Sequence, residues 1–140
     1  MTIANKLIQP TAESRRLITA LCEIMKTKQQ GTLVTDFRHV LTEDGELFRR
    51  NGRVPAMVEF MASIVSYMSV MDSGEIIKTA TQCHKRPNRI SCKEWIVARK
   101  GVEDSEIEWA CPKCGYHGII HGWQGTGWDY REKMHGATLQ

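Results

Sequence analysis

Cys111-Pro-Lys-Cys114-Gly115, with Glu106-Ile-Glu-Trp-Ala110 before it and Tyr116-His-Gly-Ile-Ile-His-Gly-Trp123 after it, is the stretch on which the reading of the chain turns. Two cysteines separated by two residues let one tight turn aim both thiolates at a single ion. Backbone amides in such a turn can donate to the sulfurs, and the following glycine permits the left-handed residue the turn requires. The segment before the motif alternates polar with apolar, and Ile119 to Trp123 reads as another strand, so the motif is expected between two strands. A thioredoxin-like redox dithiol would open a helix instead, which makes metal the preferred reading over a redox pair.

One such turn supplies two ligands, and a closed structural zinc site takes four. Cys83 and Cys92 are the natural second pair, joined by His-Lys-Arg-Pro-Asn-Arg-Ile-Ser. That spacing is wide for a metal turn, yet the segment is able to loop the two sulfurs together. Four thiolates around a divalent zinc carry a formal charge of about −2, which nearby cations offset. Lys85, Arg86, Arg89, Lys93 and Lys113 lie close in sequence to the cysteines and fit that need. Histidines compete for the ligand places. His117 or His121 in place of Cys83 is the alternative set, and His84 adjoins Cys83; each otherwise reads as a surface or supporting side chain. The expected cofactor is one structural Zn2+ on Cys83, Cys92, Cys111 and Cys114.

Working outward, Glu75–Gln82 is rich in β-branched residues, and Ser91–Arg99 contains Trp95, Ile96 and Val97, so both read as strands. With the strands flanking the Cys111 turn they predict a small antiparallel zinc-ribbon-like sheet over residues 75–140. Residues 1–74 predict a helical half. Leu17, Leu21 and Ile24 recur at helical spacing over Thr11–Gln30, with Cys22 as a small buried hydrophobe on that helix. Residues 32–53 are ambiguous: Thr32-Leu-Val-Thr35 suits a short strand or the lead-in to a helix around Asp36 to Leu41. Glu43-Asp-Gly-Glu46 and Asn51-Gly52 are turn signals. A second helix is expected from Pro55 to about Asp72, with Met57, Phe60, Met61, Ile64, Val65, Met68 and Met71 on a broad apolar face. The expected class is therefore α+β, a helical amino-terminal half followed by an antiparallel ribbon, either as two regions or packed as one domain.

The stretch from Cys83 to Asp129 resembles a group of small, uncharacterised bacterial zinc-ribbon-like proteins. The likeness rests on Cys83-His-Lys-Arg-Pro87, Cys92, Trp109-Ala-Cys-Pro-Lys-Cys-Gly115, Gly118-Ile-Ile-His-Gly-Trp123 and Gly125-Thr-Gly-Trp-Asp129. It covers roughly a third of the chain and does not extend to residues 1–74. His84 stands where that group usually has a basic residue. The resemblance implies the four-cysteine site, and more broadly a zinc ribbon, a fold used mostly to bind nucleic acid or protein.

Hydrophobic residues make up 41% and charged residues 25% of the 140 residues, the balance of a soluble globular chain, and a cytoplasmic location is expected. The amino terminus lacks the apolar core of a signal peptide, and Ala56–Met71 is too short and too polar for a membrane span. A protein-interaction or assembly module ranks first among function classes, with the Met-rich helix over 55–72 as the contact or self-association face. Nucleic-acid binding ranks second, through Lys85, Arg86, Arg89, Arg99, Lys100 and Trp128, since Cys83–Gly101 is strongly basic although the net charge is only +3. Trp95, Trp109 and Trp123 are expected in the core. A zinc enzyme ranks last. Four cysteines would close the metal's shell, and no nucleophile elbow, His-Glu-x-x-His helix, phosphate loop or deaminase His-x-Glu occurs.

Overall fold

The computed structural model describes residues 32–72, 74–101 and 106–132. The helix expected over Thr11–Gln30, including Cys22, lies outside the described residues, as do Glu103 and Asp104. The described elements run β1 (Leu33–Asp36), a 3-10 turn (Phe37–Val40), α1 (Ala56–Ser69), β2 (Ile77–Gln82), a 3-10 turn (Pro87–Arg89), β3 (Trp95–Lys100), β4 (Glu106–Ala110) and β5 (His117–His121).

The five strands form one sheet in the order β1-β5-β4-β3-β2. Strands β2 to β5 pair as antiparallel neighbours, whereas β1 runs parallel to β5, with Leu33 opposite Gly118 and Thr35 opposite Ile120. The expected architecture is corrected on both counts. The sheet is mixed rather than an antiparallel ribbon. The described part of the first 74 residues holds a strand, a 3-10 turn, two tight hairpin turns and a single helix rather than a helical half. A four-residue strand is too short to show a period, and its parallel partner lies far along the chain, so no local pattern reveals the pairing.

The two turn signals appear where expected. Leu41 bridges Leu47 around Glu43-Asp-Gly-Glu46, and Arg50 bridges Arg53 around Asn51-Gly52, whose two φ angles are positive. Pro55 caps α1 rather than opening it, and the helix ends at Ser69, short of Asp72. Among the described residues no helix is long and apolar enough to cross a membrane.

Helix α1 lies over β2 and β3. Phe60, Met61, Ile64, Val65 and Met68 are buried against Ile96, Ala98, Ile107, Trp109 and Ile120 of the sheet. Much of the Met-rich stripe is thus covered by the chain's own sheet. Between Lys78 and Gln82 the β2–β3 register slips. The Thr79 hydroxyl fills the gap, donating to the Ile96 carbonyl at 2.8 Å and accepting from the Thr81 amide at 3.1 Å. That keeps buried backbone groups paired where the ladder lapses. At Gly118 a Cβ would meet the Leu33 carbonyl and the indole of Trp109, so the cross-strand tryptophan lies directly over a position that only glycine leaves open.

Candidate metal centre

Because β3 and β4 are antiparallel neighbours, the β2–β3 and β4–β5 connections emerge at the same end of the sheet. Each connection carries one cysteine pair. The eight-residue separation of Cys83 and Cys92 is closed by a continued ladder: the Cys83 amide donates to the Glu94 carbonyl at 2.7 Å, and the Cys92 amide to the Lys85 carbonyl at 2.9 Å. The short turn is closed by the Cys111 amide on the Tyr116 carbonyl at 2.7 Å and the Gly115 amide on the Cys111 carbonyl at 3.0 Å.

The sulfurs meet across the two hairpins. Cys83 Sγ lies 3.7 Å from Cys114 Sγ, and Cys92 Sγ lies 3.6 Å from Cys111 Sγ. All four lie within 4.8 Å of one another, and the group contains no histidine or carboxylate. A tetrahedral ion with metal–sulfur bonds of about 2.3 Å sets its sulfurs about 3.8 Å apart, so the spacing suits a four-coordinate ion. Backbone amides support the sulfurs. Cys114 N–H donates to Cys111 Sγ at 3.4 Å, and the amides of Lys85, Glu94 and Lys113 are directed at Cys83, Cys92 and Cys111.

Burial pushes the Cys83 and Cys111 thiols up. Cys92, although burial opposes it, is held below the ordinary thiol value by the Glu94 amide and the neighbouring sulfurs. Three of the cysteines are buried and Cys114 is exposed.

The competing histidines lie outside the sulfur group. His117 sits between the Thr32 hydroxyl at 3.0 Å and the Gly115 carbonyl at 2.8 Å. His84 packs on Phe60 with ring centroids 4.5 Å apart, and its Nε2 lies 3.3 Å from the Tyr116 hydroxyl. Burial, then the Lys85 charge, lowers the His84 pKa and favours the neutral ring. His121 ends β5 opposite Glu106. Phe60, His84, Trp109 and Tyr116 form an apolar wall beside the sulfurs, bringing α1 against the metal end of the sheet. Burial pushes the Tyr116 phenol up to about 12. It therefore stays protonated and donates to Met57 Sδ at 3.6 Å.

The basic residues singled out in the sequence divide. Lys85, Arg86, Arg89, Lys93 and Lys113 are exposed at the metal end, with Lys85 Nζ lying over the Tyr116 ring at 4.5 Å. Arg99 instead faces Glu108 at 2.6 Å, its cross-strand neighbour. Lys100 is only 3% exposed and donates to the Ser69 carbonyl at 3.1 Å, tying β3 to the end of α1.

Trp109 and Trp123 are fully buried, while Trp95 is 38% exposed. Trp128 is half-buried, edge-on to Phe37 at 5.8 Å. Its loop closes through Asp129, which accepts from the Gly125 amide at 2.9 Å and binds the Arg131 guanidinium with both oxygens. Arg131 in turn stacks over Trp123 at 4.8 Å. Its role in holding this clasp together accounts for the Gly-Thr-Gly-Trp-Asp segment. Sequence reasoning missed the left-handed backbone at Asn88 and Arg89 in the Cys83–Cys92 loop, for which Pro87-Asn88 was the available turn signal. Comparison with family models, curated proteins and solved structures finds no match for this chain.

Proposed function

We propose that the chain is a non-catalytic binding module in which Cys83, Cys92, Cys111 and Cys114 hold one structural zinc, and that the metal end binds nucleic acid. Zinc suits an all-thiolate tetrahedral group, and four protein ligands leave no position for a reacting water. The bound ion would cross-link the two hairpins and stiffen the loop between Cys83 and Cys92.

The observation that carries the reading is the composition of that end. Lys85, Arg86, Arg89, Lys93 and Lys113 are all exposed there, and the chain from Cys83 to Lys93 contains no carboxylate. A cluster of this kind neutralises phosphates and releases their counterions, which makes binding steeply salt-dependent. The Met-rich face of α1 is a weaker candidate for a partner because Met61 and Met68 are buried against the sheet.

Fluorescence polarisation of labelled DNA and RNA with the metal-loaded protein tests this. Binding at low salt that weakens by about tenfold or more between 50 and 200 mM salt is expected for several phosphate contacts. A flat response at 50 mM would overturn it. A protein-interaction reading keeps one specific support: among the described residues the outer edge of β1 has no neighbouring strand, and Val34 on it is 61% exposed. An open edge of this kind suits strand addition by a protein partner. A defined dimer by light scattering, lost on Val34→Lys, would support that second reading, and a monomer would dismiss self-association.

A further inference from the structure

The loop between Cys83 and Cys92 is held in an uncommon conformation. Asn88 and Arg89 are consecutive non-glycine residues with φ of 55° and 67°. A left-handed backbone is costly for an ordinary L-residue, and asparagine bears it better than arginine. The cost is not offset by packing of the turn itself. None of Pro87, Asn88 and Arg89 is buried, and Ile90 next to them is 72% exposed.

The loop is nonetheless closely tied. The Arg89 amide donates to the Arg86 carbonyl at 3.0 Å and the Ile90 amide to the Pro87 carbonyl at 3.2 Å. The Arg86 guanidinium spends one of its donors on the Arg89 carbonyl at 3.2 Å. At its base the loop rests on the Cys83–Cys92 ladder and the four sulfurs. Strain that buries nothing, on an exposed loop, points to a surface shaped for a partner.

We infer that this loop reads the minor groove of duplex DNA, with Ile90 inserted at a base step and Arg86 and Arg89 placed along the flanking backbone. The inference rests on the nucleic-acid reading above and deepens it. Minor-groove proteins join arginine, lysine or asparagine with a single apolar wedge that partly unstacks a step and bends the duplex. Arg86-Pro87-Asn88-Arg89-Ile90 supplies those residue types in one exposed, hydrogen-bonded turn. Guanidinium groups match phosphate oxygens in paired hydrogen bonds. A single strand would call for several exposed aromatic faces; between Cys83 and Cys92 the one ring, His84, is packed on Phe60, and Trp95, 38% exposed, lies beyond the loop. The neighbouring Tyr116 ring is taken up by Lys85, Trp109, Phe60 and His84. A protein interface would call for a cluster of anchoring side chains, and the loop tip offers one isoleucine.

The test uses the metal-loaded full chain with end-labelled duplexes of about 20 base pairs, one A·T-rich and one G·C-rich, together with the matching single strand, an RNA hairpin and poly-glutamate. Affinity is read by polarisation and bending by energy transfer between the duplex ends. The wild type is expected to favour the A·T-rich duplex and to shorten its end-to-end distance. Ile90→Ala should abolish the bend and weaken duplex binding about tenfold while leaving the salt slope unchanged. Arg89→Ala should lower the salt slope by about one. Both variants should keep the wild-type metal content, since both side chains are exposed. Tighter binding of the single strand or the RNA, or an Ile90→Ala protein that bends and binds like wild type, would overturn the wedge and leave nucleic-acid binding standing. Binding to none of the nucleic acids, or equal binding to poly-glutamate, would overturn both readings.

Discussion

Directly after the second cysteine of each pair the backbone turns left-handed, at Gly115 with φ 81° and at Lys93 with φ 56°. The two positions serve the same local need, to swing the chain away while an amide faces a sulfur, but only one carries the residue that adopts this region freely. The Cys83–Cys92 pair therefore resembles the Cys111–Cys114 turn with a long loop inserted between its cysteines. Lys93→Gly should keep the metal and raise stability by about 0.5–1 kcal/mol, the relieved strain exceeding the extra freedom of an unfolded glycine. Urea unfolding of the metal-loaded proteins checks this, and a lower midpoint for the glycine variant would contradict it.

Asp129 offers a second residue-scale test. Burial alone would raise its carboxyl, but the Arg131 guanidinium and the amides of Gly125 and Arg131 outweigh it and hold the pKa at about 2. A depressed carboxyl contributes stability in full above its unfolded pKa of about 4. The contribution is lost as pH falls through the folded value. At pH 7 Asp129→Asn should thus cost on the order of 1–2 kcal/mol, and equal unfolding midpoints would rule out the clasp as a stabilising feature.

Strands β2 to β5 were legible as elements because each carries its own periodic or β-branched signature beside a cysteine turn. Strand β1 was only one of two readings of Thr32–Thr35, and its place in the sheet was not legible, because its parallel neighbour comes from the far end of the chain. The same limit applies to Arg99 and Lys100. Read along the sequence they extend a basic run. The register places Arg99 opposite Glu108, and the helix end covers Lys100. The grouping of the four cysteines, whose sulfurs lie within 4.8 Å of one another, was readable because turn chemistry is local and a four-coordinate ion would take a second pair.

The junction of β1, β4 and β5 gives the element-scale prediction. Gly118→Ala would drive a methyl group into the Leu33 carbonyl and the Trp109 ring. A loss of about 1–3 kcal/mol is expected, as for other overpacked cores. Thermal unfolding measures it, and an unchanged midpoint would place Trp109 elsewhere than over Gly118.

Across the whole molecule the cysteines belong to the hydrophobic core as well as to the metal end. Cys83, Cys92 and Cys111 are buried in the same cluster as Phe37, Phe60, Met68 and Trp123. Each close sulfur pair joins one hairpin to the other, so the ion would tie β2–β3 to β4–β5 while α1 lies over β2 and β3. Structural zinc contributes a large share of folding free energy in small units of this kind. The binding surface proposed at the metal end then depends on the ion only through the rigidity of the loop it anchors.

Metal content per chain, measured by elemental analysis on the wild type and the four single Cys→Ser variants, tests this account most directly. One zinc in the wild type, lost from each of Cys83→Ser, Cys92→Ser, Cys111→Ser and Cys114→Ser, is the predicted result. No zinc, stoichiometric iron in its place, or zinc fully retained after loss of Cys83 or Cys92 would contradict it.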